Sequence, residues 1–456
     1  MSDTEMGIER KLFGTDGIRG RANRYPLTPE VALRVGRAVG SAFKSDGSGD
    51  LVVIGHDTRL SSDMLVTAII SGICSSCINV LHAGIVPTPA VAYLVREVNA
   101  CAGVAITASH NPYHDNGIKI FNSEGFKLSD ETERQLEALI LGDHLDGPPV
   151  DQVGRLLPFN QAVVMRYIDF LSGSVDGRLD LKSLNLVVDC ANGAAYAVAP
   201  QLFKRLGINA TFMGTSPDGR NINDGCGSEA TEALVGKVLA HKADLGIALD
   251  GDGDRLIVID DSGERLSGDV LIALLADQMQ RKNALNPALV VTTEMSNIGL
   301  KSALSGMRID HIVTAVGDRY VTQKMVATGA VLGGEDSGHI VFLKDHTAGD
   351  GLFTALRILE IVVEQKKPLS SLKRIMTPQP QVLLNVAVKS KPPLKSIPEI
   401  AAAIDTVQQR LSAEGRVLVR YSGTQPLCRV MVEAPLEADA KGCCQAIAQA
   451  VAAVLG

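Results

Sequence analysis

The sequence predicts an α/β protein made of three similar mixed α/β sheet domains and a smaller C-terminal α+β domain around a central cleft. Its 456 residues suffice for roughly three or four domains at about 150 residues each. Three segments, opening at Leu51, Leu186 and Leu289, repeat one pattern: a Leu-Val-Val strand, a loop, a helix and a second strand ending near a glycine. Such βαβ repeats build mostly parallel sheets with helices on both faces. After about Ile375 the pattern stops.

The domain boundaries are predicted where the repeats end and where Pro and Gly cluster. The expected domains are residues 1–154, 155–256, 257–375 and 376–456. In the last domain the pattern indicates a strand, a helix, two strands around a loop and an Ala-rich helix.

The composition is that of a globular protein that binds no nucleic acid. Hydrophobic residues make up 46% and charged residues 21% of the chain, which gives ample core. Aromatic residues are only 4%, without tryptophan, so stacking surfaces for single strands are not expected. With 44 basic and 51 acidic residues the net charge is −7, so any phosphate must be held by local sites.

No membrane segment or secretion signal is expected. The stretch Met64–Val95 has no Asp, Glu, Lys or Arg and is long enough to span a bilayer. Its Ser, Asn and Pro residues predict a buried helix, a strand and a turn instead, and the N-terminus lacks the apolar region of a signal peptide. The eight cysteines are scattered. Free thiols and a reducing, cytoplasmic location are therefore expected.

Each repeat continues into a strand that ends in an unusual loop and is followed by a further short apolar strand. The loops are "TASHNP" with Ser109, "DGDGDR" over 250–255, and "GEDSGH" over 334–339. Because open α/β sheets bind ligands beyond the carboxyl ends of their strands, three similar domains facing one cleft would bring these loops together. The sequence therefore predicts one site built from a serine, an acidic cluster and a Glu/Ser/His loop.

Asp250, Asp252 and Asp254 alternate with glycines and form a candidate metal site. Three carboxylates this close repel one another unless a cation neutralises them, and hard oxygen ligands favour Mg²⁺ or Ca²⁺. An EF-hand is disfavoured because its sixth position would be Arg255 rather than glycine. A solvated acidic turn is the alternative.

A loop in the C-terminal domain has the composition of a phosphate-binding site. "RYSGTQP", residues 420–426, combines a guanidinium, hydroxyls and a turn-forming glycine, and Arg429 follows; bidentate arginine contacts suit a phosphate dianion. A plain β-hairpin loop is the alternative. Near the N-terminus "FGTDGIRG" places Arg19 in a Gly-rich loop, which is a weak phosphate signal. Asp57 and Arg59 act either directly or as a structural pair that braces a loop.

Two further residues near Ser109 are candidates for proton chemistry. Lys119 alternates with apolar Ile118 and Ile120, so it either faces water or carries a proton beside a metal and a phosphate. His110 follows Ser109 directly. As strand neighbours the two side chains would point apart, so His110 is expected to brace the loop.

The four loops, one per domain and in this order, closely resemble the signature loops of the α-D-phosphohexomutase family, and the resemblance covers essentially the whole chain. "FGTDGIRG", "VDCANGA", "VGDRYV" and "CRVMVE" are most similar to the branch that acts on glucosamine phosphates. The resemblance implies interconversion of glucosamine 6-phosphate and glucosamine 1-phosphate through an enzyme phosphoserine and a bisphosphorylated sugar. Gln425, Tyr421 and Asp336 depart from the common family pattern without removing a phosphate donor.

The resemblance also implies a role for each site residue. Ser109 would carry the phosphoryl group and complete a Mg²⁺ site, one per chain, while Lys119 would be the general acid/base; a hexose 1,6-bisphosphate would be the activator. The implied partner is a small phosphosugar, without nucleic acid or membrane, and the chain would be a monomer or homodimer. The implied catalytic residues are Ser109, Lys119, Arg19, His110 and Arg255; the metal ligands are Ser109, Asp250, Asp252 and Asp254; the substrate-binding residues are Glu335, Ser337, His339, Asp318, Arg319, Arg420, Ser422, Gly423, Thr424 and Arg429.

Three alternatives remain open at this point. The nearest is the branch of the same family that acts on mannose and glucose phosphates by the same mechanism. A metal-dependent phosphomonoesterase is less favoured, because hydrolysis of a phosphate ester needs no second phosphate-binding loop. A non-catalytic phosphosugar-binding protein would not need the complete set of loops.

Overall fold

The structure of the chain is a computed structural model with two compact units. One unit runs to Glu294 and resumes over Asp310–Arg374, and the other comprises Met295–Ile309 and Ile375–Gly456. The residues that the structure describes are 12–14, 16–44, 49–142, 152–158, 161–412, 414–422 and 426–456.

The first unit contains three sheets whose central strands follow the same order, which confirms the repeats. In each, the Leu-Val-Val strand lies between the next two strands of its repeat and pairs with both in parallel. The last strand of each repeat then turns back and pairs antiparallel with its predecessor. The three sheets are therefore mixed, as the sequence predicts, and each ends in a hairpin that carries one of the three unusual loops.

The first sheet has seven strands in the order β1-β2-β6-β5-β3-β4-β7. Its buried core includes the apolar residues of the first two helices, which face these strands. The strands are β1 Phe13–Gly14, β2 Gly17–Arg21, β3 Leu51–His56, β4 Asn79–Ile85, β5 Ala102–Ile106, β6 Asp115–Asn122 and β7 Leu156–Leu157. The helices are α1 Pro29–Lys44, α2 Ser62–Cys74, α3 Thr88–Glu97, α4 Asp130–Leu141 and α5 Gln161–Gly173.

The second sheet has five strands in the order β12-β11-β10-β8-β9. Because β11 and β12 belong to it, the sheet continues to Leu266, and the boundary expected after residue 256 is placed too early. The strands are β8 Asn185–Asp189, β9 Asn209–Met213, β10 Leu245–Leu249, β11 Leu256–Asp260 and β12 Arg265–Leu266, and the helices are α6 Val198–Leu206 and α7 Glu232–His241.

The third sheet has four strands in the order β14-β13-β15-β16. Asp350 caps the helix that begins at Gly351 by accepting a hydrogen bond from the backbone N–H of Phe353 at 2.9 Å. The strands are β13 Leu289–Thr293, β14 Asp310–Thr314, β15 Leu332–Gly334 and β16 Ile340–Phe342. The helices of this part of the first unit are α8 Gly268–Arg281, α10 Asp318–Thr328, α11 Gly351–Gln365 and α12 Leu369–Leu372.

The second unit is a three-stranded antiparallel sheet in the order β17-β19-β18, with two long helices against one face. The segment Met295–Ile309 belongs to it: the Asn297 side chain donates to the Gln379 carbonyl at 2.9 Å, and the Ile298 N–H donates to Glu433 at 3.1 Å. Its elements are α9 Ile298–Gly306, β17 Gln381–Ala387, α13 Pro398–Leu411, β18 Arg416–Tyr421, β19 Leu427–Glu433 and α14 Glu437–Leu455.

Two general expectations can be compared with this fold. Among the described helices, none combines the length and the apolar character that crossing a membrane requires. The eight cysteines are all free thiols.

Candidate active site

Ser109 lies in the hairpin loop between β5 and β6 and is almost fully buried. Its backbone has a φ of 54°, a left-handed conformation that is uncommon for a residue with a side chain. The Thr107 hydroxyl holds this turn by accepting the Ser109 N–H at 2.9 Å. As a result the Ser109 hydroxyl points at the loop of residues 250–255 and donates to the Asp250 carboxylate at 2.6 Å.

Arg59 holds the serine loop, residues 109–115, through hydrogen bonds to its backbone. Its guanidinium donates to the carbonyls of Ser109, Asn111, Pro112 and Asp115 at distances between 2.5 and 3.1 Å. Its Nε donates to Asp57 Oδ2 at 2.8 Å, and neither side chain is exposed.

Arg59 therefore uses all its donor capacity on loop carbonyls and on one buried carboxylate. The geometry therefore favours the interpretation that Asp57 and Arg59 are a structural pair that braces the loop.

The Asp250, Asp252 and Asp254 carboxylates converge as the sequence predicts. One oxygen from each lies within 4.8 Å of the others, and all three residues are buried. The Oδ1 atoms of Asp252 and Asp254 are buried without a hydrogen-bond partner among the described residues. Buried, unpartnered carboxylate oxygens are costly, and a hard divalent cation such as Mg²⁺ would satisfy them. The residues present therefore fit a metal ion.

The electrostatics of the cluster agree with this. Burial, and then the charges of Asp254 and Asp252, raise the pKa of Asp250 well above its usual range. The loop reaches Ser109 closely because residue 251 is glycine: a Cβ there would stand 2.5 Å from the Ser109 carbonyl oxygen.

Lys119 points into this acidic cluster rather than into water. It is only 2% exposed, and its ammonium lies 2.8 Å from Asp252 Oδ2, 3.1 Å from Asp254 Oδ2 and 3.6 Å from Asp16 Oδ2. The alternative that Lys119 faces water is therefore wrong. Burial disfavours the ammonium, but Asp16, Asp252 and Asp254 outweigh burial and hold the pKa of Lys119 well above its usual value.

Asp16 is a site residue that the sequence reasoning missed. It lies in the quoted Gly-rich loop and forms ion pairs with Arg19 and Lys127. Burial opposes its ionisation, yet Lys119, Lys127 and Arg19 together lower the pKa of Asp16 well below the usual range. The Gly-rich motif is its only sequence signal, and that motif also contains Arg19, whose positive charge is the stronger indication of a phosphate ligand.

His110 and Arg255 lie together beside Ser109. The Ser109 hydroxyl is 3.4 Å from His110 Nδ1, but the same nitrogen accepts a hydrogen bond from Arg255 Nη1 at 3.0 Å. Burial and then Arg255 lower the pKa of His110 to about 4. His110 Nδ1 therefore links the serine loop to Arg255 and is not available to accept the Ser109 proton.

The third loop, between β15 and β16, meets the acidic cluster through His339. Its Nδ1 lies 3.6 Å from Asp254 Oδ2 and its Nε2 lies 3.5 Å from Asp318 Oδ2. Burial opposes protonation, but Asp254 and then Asp318 raise the pKa of His339 to about 8. In the same loop Glu335 accepts the Gly317 N–H at 3.1 Å, and the Ser337 hydroxyl is buried without a partner among the described residues.

Arg319 is a correction to the predicted site. The structure turns it away from Ser109 towards α4, where its Nη1 lies 2.8 Å from Glu133 Oε2 and 2.5 Å from Asp130 Oδ1. Both its terminal nitrogens are thereby committed to buried ion pairs that tie α10 to the N-terminal end of α4. The motif "VGDRYV" thus contributes Asp318, not Arg319, to the cluster around His339.

The predicted phosphate loop lies in the second unit. Arg420 and Arg429 are directly opposite each other on β18 and β19, and like charges in such positions repel. Within the described part of the chain neither arginine forms a salt bridge with an acidic side chain. Ser422 is buried, whereas Gly423 and Thr424 lie outside the described residues. Two unneutralised guanidiniums on one face suit an anion such as phosphate.

Other residues near Ser109 gave no sequence signal of their own. Thr88 donates to Asp252 Oδ2 at 2.6 Å, and the Asn223 side chain donates to the Ser109 carbonyl at 2.9 Å. Lys127 lies 2.6 Å from Asp318. Each comes from a segment far in sequence from its partner, so only the fold brings them together.

Phosphoryl transfer depends on positioning and on neutralising charge more than on covalent chemistry, and the buried acids and cations around Ser109 supply both. A buried hydroxyl beside an acidic cluster, on three hairpin-closed sheets with a separate C-terminal sheet, is what is expected of a phosphohexomutase, an intramolecular phosphotransferase. Comparison with known proteins supports this class over the whole chain. The family descriptions "Phosphoglucomutase/phosphomannomutase, alpha/beta/alpha domain I", "domain II", "domain III" and "C-terminal domain" match residues 10–145, 165–263, 267–378 and 383–450. The chain belongs to the phosphoglucomutase/phosphomannomutase family.

Similar sequences carry a narrower name. A phosphoglucosamine mutase of Syntrophus aciditrophicus is 49% identical over 98% of this chain and 100% of its own length. One of Syntrophotalea carbinolica is 47% identical over 98% of this chain and 99% of its own length.

Solved structures share the fold. A phosphoglucomutase/phosphomannomutase family protein from Burkholderia thailandensis has a TM-score of 0.80 and 26% identity, covering 96% of this chain and 97% of its own. An N-acetylphosphoglucosamine mutase from Aspergillus fumigatus, solved with GlcNAc-6P and magnesium, has a TM-score of 0.70 and 19% identity, covering 98% and 96%. At that identity the second structure supports the fold alone.

Proposed function

We propose that the chain catalyses the phosphoglucosamine mutase reaction, which interconverts glucosamine 6-phosphate and glucosamine 1-phosphate, and that Ser109 is its phosphoryl carrier. The observation that supports the carrier role is the 2.6 Å hydrogen bond between the buried, strained Ser109 and the acidic cluster. The name of the reaction rests on the relatives that are 45–49% identical. The corresponding functional domains are residues 1–154, 155–266, 267–375 and 376–456, with the second boundary moved to keep β11 and β12 in their sheet.

In this proposal the phosphoryl group moves twice. The bond between phosphorus and Ser109 Oγ breaks as a bond to the sugar O1 forms, which gives a 1,6-bisphosphate. The sugar then turns over, its P–O6 bond breaks, and a new bond to Ser109 Oγ restores the phosphoenzyme. The Lys119 ammonium gives a proton to the leaving oxygen and takes up the proton of the attacking hydroxyl, so it is an ammonium before and after each transfer. Each cycle thus leaves the enzyme unchanged, and a hexose 1,6-bisphosphate recharges any enzyme that has lost its phosphate.

The remaining residues neutralise charge and hold the sugar. One Mg²⁺ on Ser109, Asp250, Asp252 and Asp254 would supply neutralisation of the transferring phosphoryl oxygens. Arg19 and Arg255 steady the same group, and His110 orients Arg255. Glu335, Ser337, His339 and Asp318 line the sugar site, and the second unit supplies Arg420, Ser422, Gly423, Thr424 and Arg429 for the phosphate that is not transferred. We further propose that the chain is a monomer or homodimer. We also propose a cytoplasmic location, which the free thiols favour.

The carrier role is tested by intact mass and turnover. The purified protein should carry a single added phosphate in part of the molecules, and Ser109→Ala should abolish both the added mass and mutase turnover. Ser172→Ala, which removes another hydroxyl of the first unit, should keep both. A Ser109→Ala protein that turns over as fast as the parent with added hexose 1,6-bisphosphate would contradict the proposal. Release of inorganic phosphate without isomerisation would favour the phosphomonoesterase alternative.

The sugar is tested separately. A 2-ammonium and a 2-hydroxyl are nearly isosteric, so the shape of the site discriminates only modestly between them. We therefore expect the kcat/KM for glucosamine 6-phosphate to exceed that for glucose 6-phosphate by no more than about 100-fold. Mannose 6-phosphate should be poorer still because its axial 2-hydroxyl misses an equatorially placed partner. If glucose or mannose 6-phosphate were the best substrate, the chain would belong to the other branch of its family.

A further inference from the structure

Carboxylates alternate with basic side chains in a closed ring beside Ser109, which we call the charge ring. It joins segments of all three sheets of the first unit; Lys119, Asp254 and His339 are buried, and the other three members are partly buried. In order, the ring comprises Asp254, Lys119, Asp16, Lys127, Asp318 and His339. The nitrogen-to-oxygen distances are 3.1 Å for Asp254–Lys119, 3.6 Å for Lys119–Asp16, 2.6 Å for Lys127–Asp318, 3.5 Å for Asp318–His339 and 3.6 Å for His339–Asp254, and Asp16 and Lys127 form the remaining ion pair.

Asp16 is held at both of its carboxylate oxygens. Oδ1 accepts from Lys127, and Oδ2 accepts from Arg19 and lies 3.6 Å from the Lys119 ammonium. Lys127 is in turn held by Asp318 at 2.6 Å. Because cations contact both oxygens, the Asp16 carboxylate cannot rotate away from Lys119 without breaking an ion pair.

The other carboxylates that contact Lys119 have a second task. Asp252 and Asp254 belong to the cluster proposed for Mg²⁺, so a bound dication would share their negative charge and repel the ammonium. Asp16 is not part of that cluster. Among the described residues, Asp16 is therefore the carboxylate in contact with Lys119 that stays available when the metal site is filled.

We propose that Asp16 is a positioning residue that keeps the Lys119 ammonium at the reacting oxygens in the metal-loaded enzyme, and that Lys127 is a positioning residue that fixes the orientation of Asp16. This inference rests on the proposed role of Lys119 as the proton-transfer group. Neither residue touches substrate in this account; both act through Lys119. The long, flexible lysine side chain needs such support, since a misplacement of about 1 Å in a catalytic group can cost about 100-fold in rate.

The test compares variants by kcat, KM and the Mg²⁺ concentration for half-maximal rate. Asp16→Asn should lower kcat about 100-fold while KM and the Mg²⁺ dependence change less than about twofold, because substrate and metal contacts remain. Asp16→Glu, which keeps the charge, should recover part of the loss. Lys127→Met should lower kcat less than Asp16→Asn does. The matched control is Lys373→Met, since Lys373 also bridges two carboxylates, Asp260 and Glu264, but outside the ring; it should keep the parental kcat.

The double variant Asp16→Asn/Lys127→Met tests whether Lys127 acts through Asp16 or independently of it. If Lys127 acts through Asp16, the double variant should have the kcat of Asp16→Asn alone; multiplied losses would overturn the inference. Lys119→Met serves as the reference. A wild-type enzyme without mutase activity, or a fully active Lys119→Met variant, would refute the proposed function. An inactive Lys119→Met variant beside an Asp16→Asn variant with wild-type kcat would refute only the positioning role.

Discussion

Replacing Arg59 by lysine is expected to loosen the serine loop while the positive charge is kept. The guanidinium forms five hydrogen bonds, four to loop carbonyls and one to Asp57, from a fully buried position. An ammonium has at most three donors, so at least two of these hydrogen bonds are lost. The Ser109 and Asn111 carbonyls keep the Asn223 amide and the Pro112 carbonyl keeps the Asp115 N–H, so at about 0.5–1.5 kcal/mol for each lost bond, Arg59→Lys should lower the free energy of unfolding by about 1–3 kcal/mol.

The assay combines urea denaturation of the whole chain with amide hydrogen exchange of residues 109–115. Exchange in that loop should become faster in Arg59→Lys than in the parent, and kcat should fall because Ser109 is no longer held in its strained conformation. The chain offers a matched control: Asp176 and Arg178 have the same spacing and a similar Nε–carboxylate contact of 2.9 Å, but on the surface. Arg178→Lys should leave the urea midpoint unchanged. An unchanged midpoint and unchanged loop exchange in Arg59→Lys would refute the bracing role.

The remaining predictions concern the metal and the pH dependence of stability. Asp252→Asn should weaken Mg²⁺ activation by about 100-fold, since even groups that only support metal ligands are worth about 10–100-fold; Asp261→Asn is the control, and equal Mg²⁺ titrations of the two would contradict the metal site. Burial raises the pKa of Asp350 to about 6, above the value of about 3.9 in an unfolded chain. Its contribution to stability is therefore fully present below about pH 4 and lost as the pH rises through about 6. Asp350→Asn should remove that loss, so its Tm relative to the parent should rise between pH 4 and 7 by the equivalent of about 3 kcal/mol; parallel Tm curves would show that Asp350 does not titrate in this way.

The fold could be predicted to a large extent because the repeats carry two independent signals. The Leu-Val-Val strands indicated an inner parallel strand of each sheet, and the short apolar strand after each unusual loop indicated the hairpin that follows it. The boundary after residue 256 was misplaced because a hairpin strand such as β11 resembles the start of a new segment when its partner is unknown. The membership of Met295–Ile309 in the second unit had no signal, since it depends on contacts such as that of Asn297 with Gln379.

The candidate site could be predicted where its residues are adjacent in sequence. The alternating Asp250, Asp252 and Asp254 needed only local chemistry. The burial of Lys119 could not be predicted, because strand alternation places it opposite apolar neighbours and the acids that receive it come from another sheet. For the same reason Asp16 was missed and Arg319 was misassigned: one motif held two charged candidates, and only the fold decides which of them turns inward.

The order in which the ribosome makes the charge ring sets a constraint on how this protein matures. Its two lysines, Lys119 and Lys127, and Asp16 are synthesised early, whereas Asp254, Asp318 and His339 come later. At about 5–20 residues per second, roughly 10–40 s separate the synthesis of Lys127 from that of His339. During that interval a nascent first sheet has more positive than negative charge at this edge, and burying it would be costly. The edge must stay hydrated until the later loops arrive, so the charge ring closes only after His339 has been synthesised.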